Sequence, residues 1–206
     1  MQTFAVIPAA GRSQRMGQPK LLLPWGTSTV IEQVLAAWRS SQVDHTVMVV
    51  HPDDAELAEL ARACGALVVR ADAPPPQMKA SIRLGLAEIS RRFTPADRDA
   101  WLLAPADMPA LSSEVIDRLI EAHRALAADL HERPTIWAAA AGGRRGHPVL
   151  FPWSLAKEVE QLAADEGLNA LVARHRVRTI EADASAVLQD LDTPEDYQRL
   201  RPADGA

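Results

Sequence analysis

Three cationic side chains surround two glycines near the start of the chain. The stretch VIPAAGRSQRMGQPKLLLP begins apolar, opens into a loop with Gly11 and Gly17, and carries Arg12, Arg15 and Lys20. Backbone N–H groups can approach an anion closely where no Cβ intervenes, and fixed cations offset the charge of that anion. We therefore expect this loop to bind phosphate groups, the alternative being a strand-to-helix turn with solvated arginines.

Two well-known phosphate-binding loops do not match this spacing. The dinucleotide fingerprint G-x-G-x-x-G requires a second glycine where Ser13 stands. A Walker A loop places its lysine directly after the second glycine and a hydroxyl residue after the lysine. Here two residues separate Gly17 from Lys20, and Leu21 takes the position of the hydroxyl.

A carboxylate follows a later apolar run. Asp107 ends the stretch WLLAPAD, where an ionised side chain would reach the edge of a sheet at which ligands bind. The alternative role for Asp107 is to cap the next helix. Ser112, in the stretch ALSSEV, is available for that role.

Apolar strands alternate with helices along most of the chain. Strands that are apolar throughout are typical of a sheet buried on both faces, with crossover helices as the cover. The sequence therefore predicts an α/β fold, three-layered as α/β/α, with a mostly parallel, Rossmann-like sheet. The predicted strands are Phe4–Ala10, His45–His51, Ala66–Arg70, Trp101–Asp107 and Thr135–Ala140, and the predicted helices are Ser28–Trp38, Asp53–Cys64, Met78–Phe93 and Ser112–Leu130.

The regular alternation of strands and helices ends after Gly142. RRGHPVLF is predicted to be extended, two short helices follow, and VRTIEA and AVLQDLD are further strand candidates. The last helix begins with Thr193 as N-cap and Asp196 three residues later, and Asp53 with Glu56 forms a similar pattern earlier.

Three loops share the carboxyl edge of the sheet, where ligands bind in open α/β folds: residues 11–20, 72–81 and 106–109.

Composition narrows the class of protein. The 206 residues suit one domain, predicted to span residues 1–206, and the net charge of −5 argues against a nucleic-acid partner. A single cysteine, Cys64, allows no internal disulfide and favours a reducing compartment. No signal peptide or membrane-spanning run is evident, so we expect a cytoplasmic protein without a membrane partner.

The first loop resembles a family signature. AAGRSQRMGQPK is similar to the pattern Leu-Ala-Ala/Gly-Gly-x-Ser-x-Arg-Met-Gly-x-x-Lys of nucleotidyltransferases of the MobA/MocA type, and Pro8 replaces the usual leucine. The matching residues are Ala9, Ala10, Gly11, Ser13, Arg15, Met16, Gly17 and Lys20. The resemblance implies a fold like that of nucleotide-diphospho-sugar transferases, with this loop wrapped around a nucleoside triphosphate. Arg15 and Lys20 would neutralise its phosphates, Ala9 and Ala10 would lie near the base, and catalysis would rest on Arg15, Lys20 and Asp107.

Further segments extend the resemblance as far as Tyr197. ADMP is similar to the family's Gly-Asp-Met/Gln-Pro, which implies that Asp107 binds Mg²⁺, although Ala106 replaces the glycine. LQDLDTPEDY is similar to Asp-Ile-Asp-Thr-Pro-Glu-Asp-Leu, which implies a second metal ligand at Asp192 or Asp190.

Two more segments concern the substrates. PPQMKASIRLGL implies that Met78 and Ser81 lie near the base and ribose, with Gln77 in place of a glycine. GRRGHPVLF implies that Gly146 and His147 face the acceptor. Lys79 has no such role, and we expect it to be a solvated helix lysine.

The resemblance also indicates the substrates. Two alanines before the glycine favour CTP over GTP, and the acceptor in related proteins is molybdopterin carrying molybdenum, with a molybdoenzyme as a further partner. Two alternatives stay open. One is the same chemistry with GTP or with another acceptor, such as a sugar phosphate or phospholactate. The other is a non-catalytic nucleotide- or cofactor-binding module, which the departures at Gln77 and Ala106 keep open.

Overall fold

A seven-stranded sheet organises the computed structural model, which describes residues 1–127 and 134–202. The sheet contains β1 Thr3–Ala9, β4 His45–Val50, β5 Leu67–Arg70, β6 Ala100–Leu103, β7 Thr135–Ala141, β8 Arg144–Pro152 and β9 Arg176–Glu181. Two further strands, β2 Pro24–Trp25 and β3 Ser28–Thr29, form a separate two-stranded ribbon. The helices are α1 Val30–Arg39, α2 Ala55–Ala63, α3 Met78–Phe93, α4 Ser113–Ala127, α5 Ala156–Gln161, α6 Leu168–Arg174, α7 Ala184–Leu188 and α8 Pro194–Leu200.

The order of the strands creates a crevice in the middle of the sheet. The order is β5-β4-β1-β6-β8-β7-β9, and every neighbouring pair is parallel except the two pairs that β8 makes with β6 and β7. The chain first builds outward from β1 through β4 to β5 and then returns to place β6 on the other side of β1. The carboxyl ends of β1 and β6 therefore flank a topological switch point, where open α/β sheets bind ligands.

Successive side chains of the strands alternate between two hydrophobic cores, one beneath each outer layer of helices. In β1, Ala5 and Ile7 contribute to the hydrophobic core under α1, α2, α4 and α7, whereas Phe4 and Val6 contribute to the core under α3, α5 and α6. Because successive side chains of a strand point to opposite faces, an unbroken apolar strand serves both cores. The predicted three-layer α/β/α architecture is thereby confirmed.

One predicted strand is wrong. AVLQDLD was expected to be extended, but Ala184–Leu188 forms α7. The Asp183 carboxylate accepts a hydrogen bond of 2.8 Å from the Ser185 backbone N–H and caps the helix, and Ala186 and Val187 are buried in one of the two cores. A helix of five residues is too short to show helical periodicity in its sequence, so its apolar run read as a strand.

The predicted cap of α2 is also wrong. The helix begins at Ala55 with Asp54 as N-cap, and no side chain caps it. The Asp53 carboxylate instead pairs with Arg12 at 2.9 Å. The predicted caps at Ser112 and at Thr193 with Asp196 are present. The helix predicted to reach Leu130 is described as far as Ala127, and residues 128–130 lie outside the described part of the chain.

Lys79 is not the solvated lysine that the sequence suggested. It is only 7% exposed, and its Nζ donates to the backbone carbonyls of Ala163, Ala164 and Glu166. One turn further along α3, Arg83 donates to the carbonyls of three more residues: Val159, Glu160 and Leu162. Helix ends leave such carbonyls unpaired, so these two cations fasten α3 to the end of α5 and the loop that follows it.

None of the described helices is long and apolar enough to cross a membrane.

Replacing Lys79 with methionine should destabilise the fold. Methionine keeps an apolar stem of similar length but leaves three backbone carbonyls without their charged donor, and hydrogen bonds to charged groups contribute roughly 1.5–3 kcal/mol each. We expect Lys79→Met to lower the free energy of unfolding by about that amount in urea denaturation. Lys157→Met, at an exposed position of α5, is the matched control and should leave it unchanged. Equal stability of the two variants would contradict the role assigned to Lys79.

Candidate active site

A cavity of about 360 Å³ opens at the carboxyl ends of β1 and β6. Most residues that the sequence assigned to a nucleotide or a metal line it. They are Ala9, Ala10, Gly11, Ser13, Arg15, Lys20, Met78, Ser81, Asp107 and Asp192. Among the other predicted site residues, Gly17, Gly146 and His147 do not line it. The structure thus brings together three loops and the C-terminal segment at the predicted edge of the sheet.

The first loop has a fixed backbone conformation. Ser13 and Gly17 both adopt positive φ angles, 48° and 66°, a region that favours glycine. Between them the chain makes a 3₁₀ turn, closed by a hydrogen bond of 2.9 Å from the Met16 N–H to the Ser13 carbonyl. Met16 is buried and anchors the turn. The Ser13 hydroxyl also accepts from the Lys20 N–H at 3.4 Å, which ties the start of the loop to its end.

Lys20 lies between two carboxylates. Its Nζ donates to Asp107 Oδ2 and lies 3.5 Å from Asp192 Oδ1, and Arg15 Nη2 donates to the same Asp192 oxygen at 2.9 Å. The Lys20 and Asp107 side chains are 16% and 13% exposed, so their pairing is less screened than a surface ion pair. Arg15 is 70% exposed and its ion pair contributes little to stability.

Backbone contacts bring the C-terminal segment to this cluster. The Leu191 N–H donates to the Asp107 carbonyl at 3.0 Å, so that Asp190 and Asp192 flank a residue bound directly to Asp107. Further on, the Tyr197 hydroxyl donates to the Pro24 carbonyl at 2.6 Å and holds α8 against the segment that follows Lys20. The position of Asp192 is therefore set by contacts on both of its sides.

Burial shifts the pKa values of two groups close to this cluster. Burial raises the pKa of Asp190, the negative charges of Asp192 and Asp107 raise it further, and Lys20 opposes them. Burial lowers the pKa of His147, whose Nδ1 lies 3.3 Å from the Leu103 carbonyl at the end of β6. The charges of Asp107 and Asp190 act on that ring in the opposite sense. His147 therefore lies beside the acidic cluster rather than in the cavity.

The acidic cluster suits a divalent cation. Asp107 is one of the residues that line the cavity, and its Oδ1 is buried without a hydrogen-bond partner among the described residues. Within residues 1–127 and 134–202, no cluster of three or more His, Cys, Asp or Glu could hold a metal by itself. Mg²⁺ commonly binds through one or two carboxylates together with phosphate oxygens of a substrate, and Asp107 with Asp192 fits that mode.

Two glycines of the predicted site are there for different reasons. A Cβ built on Gly11 meets no atom within 4 Å, so the protein itself does not require glycine at this point of the cavity wall. A Cβ on Gly146 would lie 1.9 Å from the Val187 carbonyl oxygen. Gly146 is therefore required for β8 to pass α7, whereas the space beside Gly11 is open to a ligand.

The sequence reasoning named Arg12 but missed its two partners at the mouth of the cavity. Arg12 donates from Nε to His51 Nε2 at 3.1 Å and from Nη2 to Asp53 Oδ2 at 2.9 Å. His51 follows β4 directly, so its place at the carboxyl edge was available as a signal. The contact between His51 and Arg12 could not be read from the sequence, because it depends on the parallel pairing of β1 with β4.

A mostly parallel sheet with a cation-rich loop and paired carboxylates at its switch point is an α/β arrangement suited to a phosphorylated ligand. Comparison with known proteins narrows the class. Residues 5–179 match the family described as "MobA-like NTP transferase domain". The chain therefore belongs to the MobA-like NTP transferase family, and the nucleotidyltransferase class that the sequence predicted is confirmed.

Individual relatives match over nearly the whole chain. A molybdenum cofactor guanylyltransferase from Xanthomonas euvesicatoria pv. vesicatoria is 30% identical over 201 residues, covering 95% of this chain and 92% of the relative. The purine catabolism protein PucB from Bacillus subtilis is 29% identical, covering 97% and 96%. Among solved structures, Rv0371c from Mycobacterium tuberculosis superposes with a TM-score of 0.77 at 30% identity, covering 98% of each chain, and it is also known in complex with manganese.

The two glycines allow a paired test. Gly146→Ala forces a Cβ against backbone and should lower the free energy of unfolding by roughly 1–3 kcal/mol, as overpacking does. Gly11→Ala should leave that free energy within about 0.5 kcal/mol of the parent, as surface substitutions usually do, while weakening binding of a nucleoside triphosphate. Denaturant unfolding and calorimetric titration measure the two effects. A stable Gly146→Ala protein, or a destabilised Gly11→Ala protein, would contradict this division.

Proposed function

We propose that the chain, as one domain over residues 1–206, transfers a nucleotidyl group from a nucleoside triphosphate to a phosphorylated acceptor and releases pyrophosphate. The observation that carries the proposal is the Lys20 ammonium between Asp107 and Asp192 in a cavity lined by the signature loop. Family membership supports the reaction class. Arg15, Lys20 and Asp107 are the proposed catalytic residues.

The proposed reaction is a displacement at the α-phosphorus. An oxygen of the acceptor's phosphate monoester forms the new P–O bond, and the bond to the bridging oxygen of the β-phosphate breaks, so that pyrophosphate leaves. The monoester is already anionic at neutral pH, so no general base is needed, and catalysis consists of positioning and charge stabilisation. Arg15 and Lys20 bind the phosphates in this scheme. Mg²⁺ held by Asp107 and Asp192 would offset the charge on the phosphates and the departing pyrophosphate.

The favoured nucleotide is CTP. Ala10 lines the cavity, and the resemblance of the two-alanine signature to that of members that use CTP supports this choice. Met78 and Ser81, on the first turn of α3, line the same cavity and are the proposed contacts to base and ribose. GTP is the second candidate, because a relative that covers most of the chain carries the name of a guanylyltransferase.

The proposed acceptor is the phosphate of molybdopterin in the molybdenum cofactor. The name of the Xanthomonas relative supports this class of acceptor. His147 beside the acidic cluster is a proposed acceptor contact together with Gly146, and a molybdoenzyme would be the next partner of the product. Other phosphate monoesters, including a sugar phosphate or phospholactate, would react by the same chemistry.

Thermal unfolding with each nucleoside triphosphate in the presence of Mg²⁺ tests the nucleotide. A ligand that binds only the folded protein raises its melting temperature by mass action, by an amount that depends on concentration and affinity. We expect CTP to give the largest rise. In Ala10→Gly, loss of the methyl group should move the preference toward GTP. A parent protein that responds most to GTP would overturn the cytidylyl assignment, and no response to any triphosphate would overturn the proposed function.

Turnover is the second part of that test. Release of pyrophosphate from the preferred triphosphate should require a phosphorylated acceptor, and Asp107→Asn should reduce it by roughly 100-fold or more, as loss of one transition-state contact does. Asp117→Asn, on α4, is the matched control for the change of charge. Equal rates of pyrophosphate release by Asp107→Asn and the parent would contradict a catalytic role for Asp107.

A further inference from the structure

A second cavity continues outward from the one described above. It measures about 450 Å³ and shares Gly11, Arg15, Lys20 and Asp192 with the inner cavity. It adds Arg12, His51 and Pro74, which do not line the inner cavity. The space beyond the signature loop is therefore bordered by a further cation.

The other two cations of the loop already have carboxylate partners. Lys20 contacts Asp107 and Asp192, and Arg15 contacts Asp192. With Asp190 close by, carboxylates balance or exceed the positive charge of the inner cavity. A triphosphate carries several negative charges, and a cation outside this cluster would help to neutralise its distal end.

Arg12 is such a cation, and it is held in place by an uncharged partner. His51 is only 4% exposed, and its Nε2 accepts from Arg12 Nε at 3.1 Å. An imidazole nitrogen accepts a hydrogen bond only when it carries no proton, so this contact orients the guanidinium without cancelling its charge. The ring is itself held by its burial, and with Nε2 as the acceptor its proton lies on Nδ1, 3.6 Å from Asp53 Oδ2.

The remaining contact of Arg12 is easily exchanged. Its Nη2 pairs with the Asp53 carboxylate, and the two side chains are 59% and 77% exposed. Such an exposed ion pair contributes little to stability, so a phosphate could replace the carboxylate at low cost. A guanidinium presents several N–H donors in one plane, a geometry that suits two phosphate oxygens at once.

The geometry points to Arg12 as a third phosphate-binding cation, which contacts the terminal phosphates of the triphosphate and the pyrophosphate that they become. His51 is its positioning residue, and Asp53 occupies the place of the phosphate when no nucleotide is bound. This inference rests on the proposed nucleotidyl transfer and extends it to the leaving group.

Calorimetric titration with Mg²⁺ present separates this role from a structural one. The probes are CTP, CMP and inorganic pyrophosphate, or GTP and GMP if thermal unfolding selects the guanine nucleotide. Arg12→Gln should weaken binding of the triphosphate and of pyrophosphate roughly tenfold, which corresponds to about 1.4 kcal/mol, and leave the monophosphate unchanged. Arg39→Gln, an exposed arginine at the end of α1, makes the same change of charge and should bind all three as the parent does.

The positioning role has its own variants. His51→Leu removes the acceptor and should weaken triphosphate and pyrophosphate binding while sparing the monophosphate. His51→Gln restores a side-chain oxygen acceptor and should recover part of the loss. In steady-state assays the Arg12 and His51 variants should raise the KM for the triphosphate more than they lower kcat.

Three results would overturn the inference. If the Arg12→Gln variant binds pyrophosphate as tightly as the parent, Arg12 does not contact the terminal phosphates. Equal weakening of monophosphate, triphosphate and pyrophosphate means that Arg12 only shapes the loop. If the His51→Leu variant binds the triphosphate and pyrophosphate as the parent does, His51 does not position Arg12. A parent protein that binds no nucleotide is a different result, which rejects the proposed function itself.

Discussion

The candidate site depends on one ammonium group between two carboxylates. Lys20 joins Asp107, 87 positions later, to Asp192, 172 positions later, so that three distant segments meet at one point. Carboxylates brought this close repel one another, and the raised pKa of Asp190 reflects that repulsion together with burial. Without the cation, repulsion among these carboxylates would oppose the backbone bond that holds the C-terminal segment at Asp107.

This arrangement prepares the cavity for an anionic ligand and a divalent cation together. The signature loop keeps its cations near the carboxylates, and Asp107 Oδ1 is buried without a partner in the part of the chain that the structure describes. Binding of a triphosphate with its metal would exchange ion pairs within the protein for ion pairs with the ligand. Such an exchange leaves in place the hydrogen bond within the loop and the one between Leu191 and Asp107.

Sequence reasoning predicted the features that depend on local pattern. Apolar strands with amphipathic helices indicated the layers, and the loop signature with Asp107 and Asp192 indicated the residues that line the cavity. It failed where tertiary contacts decide. Lys79 read as a surface lysine because the carbonyls that it caps belong to a loop 84 positions later, and Asp53 read as a helix cap because its partner Arg12 lies on another strand's loop. The requirement for Gly146 likewise depends on α7, a helix that the sequence did not indicate.

A crystal structure of the protein with Mn²⁺ and a non-hydrolysable analogue of the preferred triphosphate would test the central claim most directly. Anomalous scattering locates manganese independently of the protein. The account predicts one manganese peak bound by Asp107 and Asp192, with the Lys20 ammonium moved from Asp107 to the phosphates in the inner cavity. A nucleotide bound elsewhere, or a cavity holding phosphates while Lys20 remains between the two carboxylates, would contradict it.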